Sequence, residues 1–308
     1  MKKIWIYFSD NGKMWYPFNK ENYLSSYKKL IRTLEDSNIE VYIVRWNSYK
    51  WVWIFNWYSQ INNNEIVESL EDIKVDLIFN RDDKNTIPEI NDCKIINHPE
   101  FDELCVDKFK TFERFPDISP KTANINSYNE YIEQIKKYKF QASDFIVLKK
   151  NFETEGNGIY IWEIWKVTED IYDDWSDILF QEFIDNSVWI DGIVDWLHDL
   201  RITVVNWKPI NSFIRTPKEW SYLANVAQWG DDFPVELDLL PKSLFTTIDF
   251  INKQIWDYSP ILYSADFMNS KAWFKLVELN SRPALFDQYD NFRNAVADML
   301  IKAVSNLD

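Results

Sequence analysis

Three oxygen-bearing side chains late in the chain have the spacing that a metal site requires. Asp266 lies in one apolar, aromatic segment, and Glu278 and Asn280 lie in the next. Both segments are predicted strands, and the polar residues 269–272 between them are typical of a turn, so the pair predicts a β-hairpin. Residues two apart share a strand face, and such a turn would place Asp266 opposite Glu278.

These three side chains predict a site for a hard cation. Oxygen-only donors suit Mg²⁺, which usually takes one or two carboxylates and completes its shell with water and nucleotide phosphates. We therefore expect a hard cation such as Mg²⁺ at Asp266, Glu278 and Asn280. The competing interpretation is that all three are solvated polar positions on an amphipathic hairpin.

A short glycine segment is the candidate phosphate loop. The chain has five glycines, and two of them, Gly156 and Gly158, flank Asn157 between two predicted strands. Glycine lets the backbone approach a ligand closely, so that N–H groups can point at phosphate oxygens. A plain hairpin turn explains the triplet equally well. The longer glycine motifs of the P-loop and of dinucleotide-binding folds are absent from the sequence.

Four basic residues could neutralise a phosphoryl group. Lys149 ends a predicted strand just before the glycine segment, and Lys108 lies further upstream. Arg201 and Arg215 lie on or beside predicted strands, where a guanidinium can stabilise the charge on a transferring phosphate. The alternatives are solvated surface lysines and arginines that form salt bridges with the many acidic residues.

The elements that must position these residues form at least two α/β units. Residues 4–8, 24–34 and 41–46 predict a strand, a helix and a strand, and the alternating aromatic residues of 51–58 predict one further strand. A second unit begins at Asp107. Its predicted strands are 145–149, 159–165, 179–183 and 201–205, and its predicted helices start after Ser127, after Pro241 and near Asn291.

Size and composition restrict the class of protein. A chain of 308 residues with 46% hydrophobic residues is expected to fold into two or three packed units. The net charge of −15 argues against a nucleic-acid partner. Two cysteines fit a reducing cytoplasm, and no apolar run approaches the length of a membrane span or a signal-peptide core. The oligomeric state, including a homo-oligomer, stays open.

Taken in order, these segments resemble the ATP-grasp superfamily, most strongly its glutathione-synthetase-like and ribosomal-protein glutamate-ligase-like branches. The resemblance spans roughly residues 75–285. It is carried by Asp107-Lys108, 145–149, Gly156-Asn157-Gly158, 181–184, Asp199-Leu-Arg201, Arg215, Asp266 and 278–283. The ordered set is far more specific than any one of its parts.

The resemblance implies an α/β ATP-grasp fold: a pre-ATP-grasp domain at 1–105, a central lid at 106–184 and a C-terminal lobe with the metal site at 185–308. It implies that ATP lies between the last two. Phosphate and nucleotide contacts would come from Lys108, Lys149, the Gly156-Asn157-Gly158 loop, the hinge Gln181-Glu182-Phe183-Ile184, and Asp199 near the ribose or substrate. Arg201 and Arg215 would face the γ-phosphate and the acyl group. Asp266, Glu278 and Asn280 would hold one or two Mg²⁺ ions, with Mn²⁺ as an alternative.

The implied activity is an ADP-forming ligase that joins a carboxylate to an amine through an acyl phosphate, on an amino acid, peptide or peptide-like small molecule. The alternatives are an ATP-grasp kinase that phosphorylates a small hydroxyl compound and a non-catalytic nucleotide-binding protein. Three features depart from the family. Lys149 is followed by Lys150 rather than proline, 219–230 lack the usual glycine-rich stretch, and 185–198 form an insertion.

Overall fold

The structure is a computed structural model that describes residues 1–9, 17–51, 54–62, 65–74, 76–82, 93–153, 158–186, 190, 192–194, 196–218, 231–269 and 274–307. Its helices are α1 Glu21–Asp36, α2 Pro99–Val106, α3 Lys108–Arg114, α4 Tyr128–Tyr138, α5 Lys242–Gln254 and α6 Asp290–Ser305. Its strands are β1 Lys2–Phe8, β2 Ile39–Arg45, β3 Tyr49–Trp51, β4 Ile54–Phe55, β5 Tyr58–Asn62, β6 Glu65–Ser69, β7 Leu77–Asn80, β8 Lys94–Ile96, β9 Thr122–Ile125, β10 Phe145–Lys150, β11 Ile159–Glu163, β12 Ile178–Glu182, β13 Asp199–Val205, β14 Lys208–Thr216, β15 Asp231–Val235, β16 Leu262–Asn269 and β17 Phe274–Asn280.

The first sheet has the strand order β6-β5-β2-β1-β7-β8, and its four last-named strands run parallel. Residues 4–8 of β1 are buried, as expected for a central parallel strand covered on both faces. Helix α1 returns the chain from β1 to β2 and buries Tyr27, Leu30, Ile31 and Leu34 along one stripe. The predicted β-α-β start is therefore confirmed.

The second sheet is antiparallel, in the order β11-β10-β12-β9, and α4 covers it. Ser127 accepts a hydrogen bond from the Glu130 backbone N–H, while the Glu130 carboxylate accepts one from the Asn126 N–H. This fixes the start of α4 where the capping pattern predicts it. Tyr131, in α4, packs with Trp175 and Phe180 in the core beneath the sheet.

The third sheet is also antiparallel, in the order β15-β14-β13-β16-β17. Alternate residues of β13, Leu200, Ile202 and Val204, are fully buried against α5, whose apolar stripe includes Leu244 and Ile248. Residues two apart lie on the same face of a strand, so the intervening residues of β13 lie on the opposite face. That opposite face carries the polar side chains described below.

The cores of the sheets include helices that are distant in sequence. Val296 and Leu300 of α6, near the end of the chain, lie in the same core as Ile4 and Leu34 of the first sheet. Phe101 of α2 lies in the core of the third sheet. Helix α6 follows a strand of the third sheet but packs in the core of the first, and α2 follows a strand of the first sheet but packs in the core of the third. These two helices therefore hold the first and third sheets together.

One strand prediction was wrong, and another placed the end of its strand two residues too late. The aromatic segment 51–58 is not one strand in its described part, since β3 ends at Trp51, β4 covers only Ile54–Phe55 and β5 begins at Tyr58. Strand β11 ends at Glu163, and a 3₁₀ turn over Ile164–Lys166 follows it. Phe55 and Tyr58 of the first segment and Ile164 of the second are buried, so apolar residues can reach a core without continuous strand pairing. Within the described residues, no helix combines the length and apolar character needed to cross a bilayer.

Candidate active site

The face of the third sheet opposite α5 carries a row of charged residues, Arg201 on β13, Asp266 on β16 and Glu278 on β17. The backbone register pairs Phe213 with Arg201, Arg201 with Asp266, and Asp266 with Glu278. The pairing of Asp266 with Glu278 agrees with the hairpin predicted from the sequence, and a β-bulge between Asp266 and Phe267 shifts the register by one residue on the side of the turn. Because directly paired residues lie on the same face, Arg201, Asp266 and Glu278 project from one face of the sheet.

Two arginines hold the carboxylate of Asp266. Arg201 donates to both of its oxygens, with 2.7 Å from Nε to Oδ1 and 2.7 Å from Nη2 to Oδ2. Arg215 donates to Oδ2 from Nη2 at 2.7 Å and also binds Asp199 through two hydrogen bonds of 2.6 and 2.7 Å. Asp266, Asp199 and Arg215 are all buried. The network therefore orients both guanidinium groups in a site that is largely shielded from solvent.

Burial raises the pKa of a carboxyl group and a nearby guanidinium lowers it, and the balance of these two effects differs between Asp266 and Asp199. Burial acts to raise the pKa of Asp266, but the guanidiniums of Arg201 and Arg215 hold that pKa well below its usual range. Asp199 contacts one guanidinium only, and burial followed by the nearby charge of Asp266 raises its pKa. Asp266 is thus the more firmly ionised carboxylate of the pair and the better candidate for a cation ligand.

Lys149 presents a buried ammonium toward this network. Its side chain is 5% exposed, and its Nζ lies 5.1 Å from the centre of the Phe112 ring. Burial lowers its pKa to about 8, with Glu278 acting against that change. No hydrogen bond or ion pair of Lys149 occurs among the residues that the structure describes. A buried cation without an acceptor is suited to an anionic ligand such as phosphate.

The neighbouring Lys150 lies on the other face of β10. Its Nζ donates to the carbonyl oxygens of Asp174 and Ser176 at 2.8 and 3.4 Å and lies over the Tyr172 ring. Strand alternation therefore separates the two lysines, although the sequence left the choice between them open. Lys149 is the lysine on the side of Asp266 and Glu278.

Lys108, the first residue of α3, connects the second and third sheets. Its Nζ donates to the carbonyl oxygens of Asn151 and Glu153 at 3.1 and 2.6 Å and lies 3.6 Å from Glu278 Oε1. Asn151 in turn accepts from the Phe109 N–H through Oδ1 and donates to Asp107. Asn151 was not predicted from the sequence as a site residue. The available signal was its position directly after Lys149 and Lys150.

The predicted hinge lies at the end of β12. Gln181 is buried and donates from Nε2 to Thr122 Oγ1 at 3.0 Å. Glu182 pairs with Lys121, the ring of Phe183 lies 5.6 Å from that of Phe145, and Ile184 is buried. These contacts fix the connection between the second and third sheets.

Only one residue of the glycine triplet can be described. Gly156 and Asn157 lie outside the described residues. Gly158 has a φ of +66°, and a Cβ added there would lie 3.3 Å from Lys150 Cγ. Its carbonyl oxygen accepts a hydrogen bond from the Tyr172 hydroxyl at 3.1 Å. The backbone geometry at this position therefore favours glycine for a local reason, whatever the loop binds.

The oxygen donors of the hairpin fit a magnesium ion by their chemistry. Glu278 lies opposite Asp266 with its side chain 35% exposed, and Asn280 Oδ1 accepts the Arg282 N–H at 2.8 Å while keeping a second lone pair. Among the described residues, no group of three His, Cys, Asp or Glu side chains could hold a metal. Two carboxylates and an amide remain, and their oxygen atoms are the donor type that Mg²⁺ takes beside phosphates and water.

Two buried residues that sequence reasoning missed hold the hairpin in place. Asn97 donates from Nδ2 to the carbonyl oxygens of Leu262 and Ser281 at 2.6 and 2.5 Å and accepts the Leu262 N–H at 2.8 Å. Asp102 lies 3.0 Å from Arg282 Nη2. Both residues precede the hairpin by more than 150 positions, so only the fold reveals their role.

The insertion at 185–198 packs in part against the third sheet. Ile190 and Val194 lie in the core that this sheet shares with α5. The ring of His198 is buried, its Nδ1 lies 2.8 Å from the Trp196 carbonyl oxygen, and burial lowers its pKa. Residues 187–189, 191 and 195 lie outside the described residues. The described part of the insertion therefore has a structural role.

The comparisons with known proteins identify the fold. No family model matches the chain, and no curated protein matches it in sequence. D-alanyl-alanine synthetase A from Vibrio cholerae matches with a TM-score of 0.64 at 14% identity, over 99% of this chain and 98% of that one. A RiPP-associated ATP-grasp ligase from Chryseobacterium gregarium, in complex with ADP and a leader and core peptide, matches with a TM-score of 0.63 at 16% identity, over 100% and 98%.

A third structure agrees. A RimK domain ATP-grasp protein from Sphaerobacter thermophilus matches with a TM-score of 0.58 at 13% identity, over 98% of this chain and all of that one. At these identities the similarity is one of fold, and it extends over the whole chain. The chain has the ATP-grasp fold.

Proposed function

We propose that this protein is an ADP-forming ligase that uses ATP to join a carboxylate to an amine. The observation that carries the proposal is the charged row on the third sheet. There Arg201 and Arg215 share Asp266, and Glu278 next to it lies 3.6 Å from Lys108. Fixed cations beside fixed carboxylates are what a site needs to bind a metal-bound nucleotide and to neutralise a phosphoryl group in transfer.

In this proposal the nucleotide lies between the second and third sheets. Lys149 and Lys108 would contact its phosphates, the loop that ends at Gly158 would cover them, and Gln181 to Ile184 would border the adenine, with Asp199 near the ribose or substrate. The proposal assigns 1–105 to the pre-ATP-grasp domain, 106–184 to the lid and 185–308 to the C-terminal lobe. Asp266, Glu278 and Asn280 would hold one or two Mg²⁺ ions, which neutralise phosphate charge when bound.

The arginines would position the acid. In the first step a carboxylate oxygen attacks the γ-phosphorus of ATP, the bond to the β-phosphate oxygen breaks, and ADP leaves. Arg201 and Arg215 would hold the acid and the phosphoryl oxygens close together, which converts an encounter into a positioned reaction. In the second step the amine attacks the carbonyl carbon of the acyl phosphate, phosphate leaves and the nitrogen loses a proton. Asp199 and Asp266 keep both guanidiniums in place during these steps.

The experiment is an ADP-release assay with ATP, Mg²⁺ and a panel of amino acids and short peptides, repeated with hydroxylamine as the amine. An active pair of substrates should give ADP and phosphate, and hydroxylamine should give a hydroxamate. Glu278→Gln should abolish ADP release while the protein stays folded. Glu163→Gln, in a surface ion pair with Lys166, provides the control and should retain activity. ADP release with a phosphorylated product and no hydroxamate would replace the ligase by the kinase alternative.

A further inference from the structure

A cavity of about 280 Å³ opens beside the two arginines on the same face of the third sheet. One wall is aromatic: the Phe213 and Tyr289 ring centres are 4.7 Å apart, and those of Phe286 and Tyr289 are 6.3 Å apart. Arg201 and Arg215 also line the cavity. Its volume is at the low end for ligand sites, which suits a single amino acid better than a long peptide.

The arginines keep unused donors toward a ligand. In both Arg201 and Arg215 the contacts with Asp266 and Asp199 use Nε and Nη2 only. The Nη1 atom of each guanidinium has no hydrogen bond among the residues that the structure describes. A guanidinium has five N–H donors, so each arginine can bind an additional carboxylate without releasing its aspartate.

An acidic residue lies on the adjacent strand. Asp232 of β15 is paired in register with Arg215 and lines the same cavity. Its carboxylate has no hydrogen bond or ion pair in the described part of the chain. Neighbouring strands lie about 4.8 Å apart. Asp232, which can bind a cation, therefore lies one strand away from Arg215, which can bind an anion.

We propose that this cavity takes one α-amino acid with a large aromatic side chain, and that Asp232 recognises its ammonium group. The carboxylate would meet the Nη1 donors of Arg201 and Arg215, and the side chain would lie against Phe213 and Tyr289. In an α-amino acid one carbon joins the two charged groups, so side chains from two adjacent strands can contact both groups of one molecule. This inference rests on the proposed ligase function and specifies its acid substrate.

The arrangement also assigns the amino acid its part in the reaction. An ammonium held by a carboxylate keeps its proton and has no lone pair for attack. The amino acid in this cavity therefore supplies the carboxylate that accepts the γ-phosphoryl group, and a second substrate supplies the amine. A phenylalanine-like substrate would react at its carboxyl group and keep its own α-amino group free.

The test is calorimetric binding of L-phenylalanine to the full chain loaded with Mg²⁺ and ADP, compared with 3-phenylpropionate, which lacks the ammonium group. Wild type should bind L-phenylalanine more tightly. Asp232→Asn should weaken L-phenylalanine about threefold to tenfold, the range of an ion pair with hydrogen bonding, and leave 3-phenylpropionate unchanged. The matched control is Asp231→Asn, which removes the same charge one residue away, where the side chain pairs with Lys218.

The outcomes separate this inference from the ligase proposal. Equal effects of Asp231→Asn and Asp232→Asn would overturn the role of Asp232. ADP release that depends on small or acidic amino acids, with no binding of L-phenylalanine, would overturn the cavity assignment and leave the ligase standing. Binding of L-phenylalanine that depends on Asp232, without ADP release with any amine, would support the cavity assignment and count against the ligase.

Discussion

Replacing Lys149 by methionine should stabilise the ligand-free protein and abolish nucleotide binding. The ammonium is buried, and its pKa lies at about 8 instead of 10.5. One pKa unit corresponds to about 1.4 kcal/mol, so holding the charge in the folded state at pH 7 costs about 3 kcal/mol. Methionine removes that cost and also removes the contact with the Phe112 ring, which contributes about 1 kcal/mol. The expected net gain is about 1–2 kcal/mol.

The sign of this effect can be tested by pH. Because the folded-state pKa of Lys149 lies below its unfolded value, the unfolded chain binds more protons between pH 8 and 10.5, and wild-type stability rises through that window. The advantage of Lys149→Met in urea unfolding should therefore fall by about 2 kcal/mol between pH 7 and pH 9.5, which removes nearly all of it. Binding of Mg-ADP, followed by calorimetry at pH 7, should be lost in the variant.

Lys150→Met is the matched control. This lysine follows Lys149 directly, but its ammonium lies on the opposite strand face and donates to two carbonyl oxygens. Its replacement should cost less than about 1 kcal/mol and leave Mg-ADP affinity unchanged. A Lys149→Met protein that is less stable than wild type, or that binds Mg-ADP normally, would refute the reasoning from an unpartnered buried cation.

Three further predictions concern the residues around this site. Arg215→Met should cost about 3–5 kcal/mol in urea unfolding, because it strands the buried Asp199 charge, and adding Asp199→Asn should recover much of that loss; no recovery would contradict the pairing. Asn97→Ala should cost about 2–4 kcal/mol, since three backbone groups of the hairpin lose their partner, and a thermal melt within error of wild type would argue against this anchor. The folded-state pKa of Asp266 is lowered, so its contribution to stability is complete above the unfolded value near 3.9 and is lost as pH falls through the folded value. Acid unfolding of Asp266→Asn should therefore converge with wild type only at strongly acidic pH, and convergence already at pH 5 would exclude the arginine pairing.

Much of the candidate site could be predicted from local patterns. Two apolar runs and a polar turn predict a hairpin with Asp266 near Glu278, because a strand repeats every two residues. The exact register also depends on a β-bulge between Asp266 and Phe267, which the sequence does not reveal. The start of α4 at Ser127 follows from its capping pattern. The alternating aromatic residues of 51–58 led to the wrong prediction of one continuous strand. Alternation in the sequence indicates a buried face, but it does not guarantee that a neighbouring strand pairs with the whole segment.

The sequence by itself determined which residue types are available, their order, and which of them share a face within one strand or helix. The tertiary structure alone decided that Arg201 and Arg215 share Asp266, that Lys149 rather than Lys150 faces the site, and that Asp232 stands beside Arg215. The physical reason is that strand alternation acts between neighbours in the chain. Strand order and the burial of charge are set by contacts between segments that are far apart in sequence.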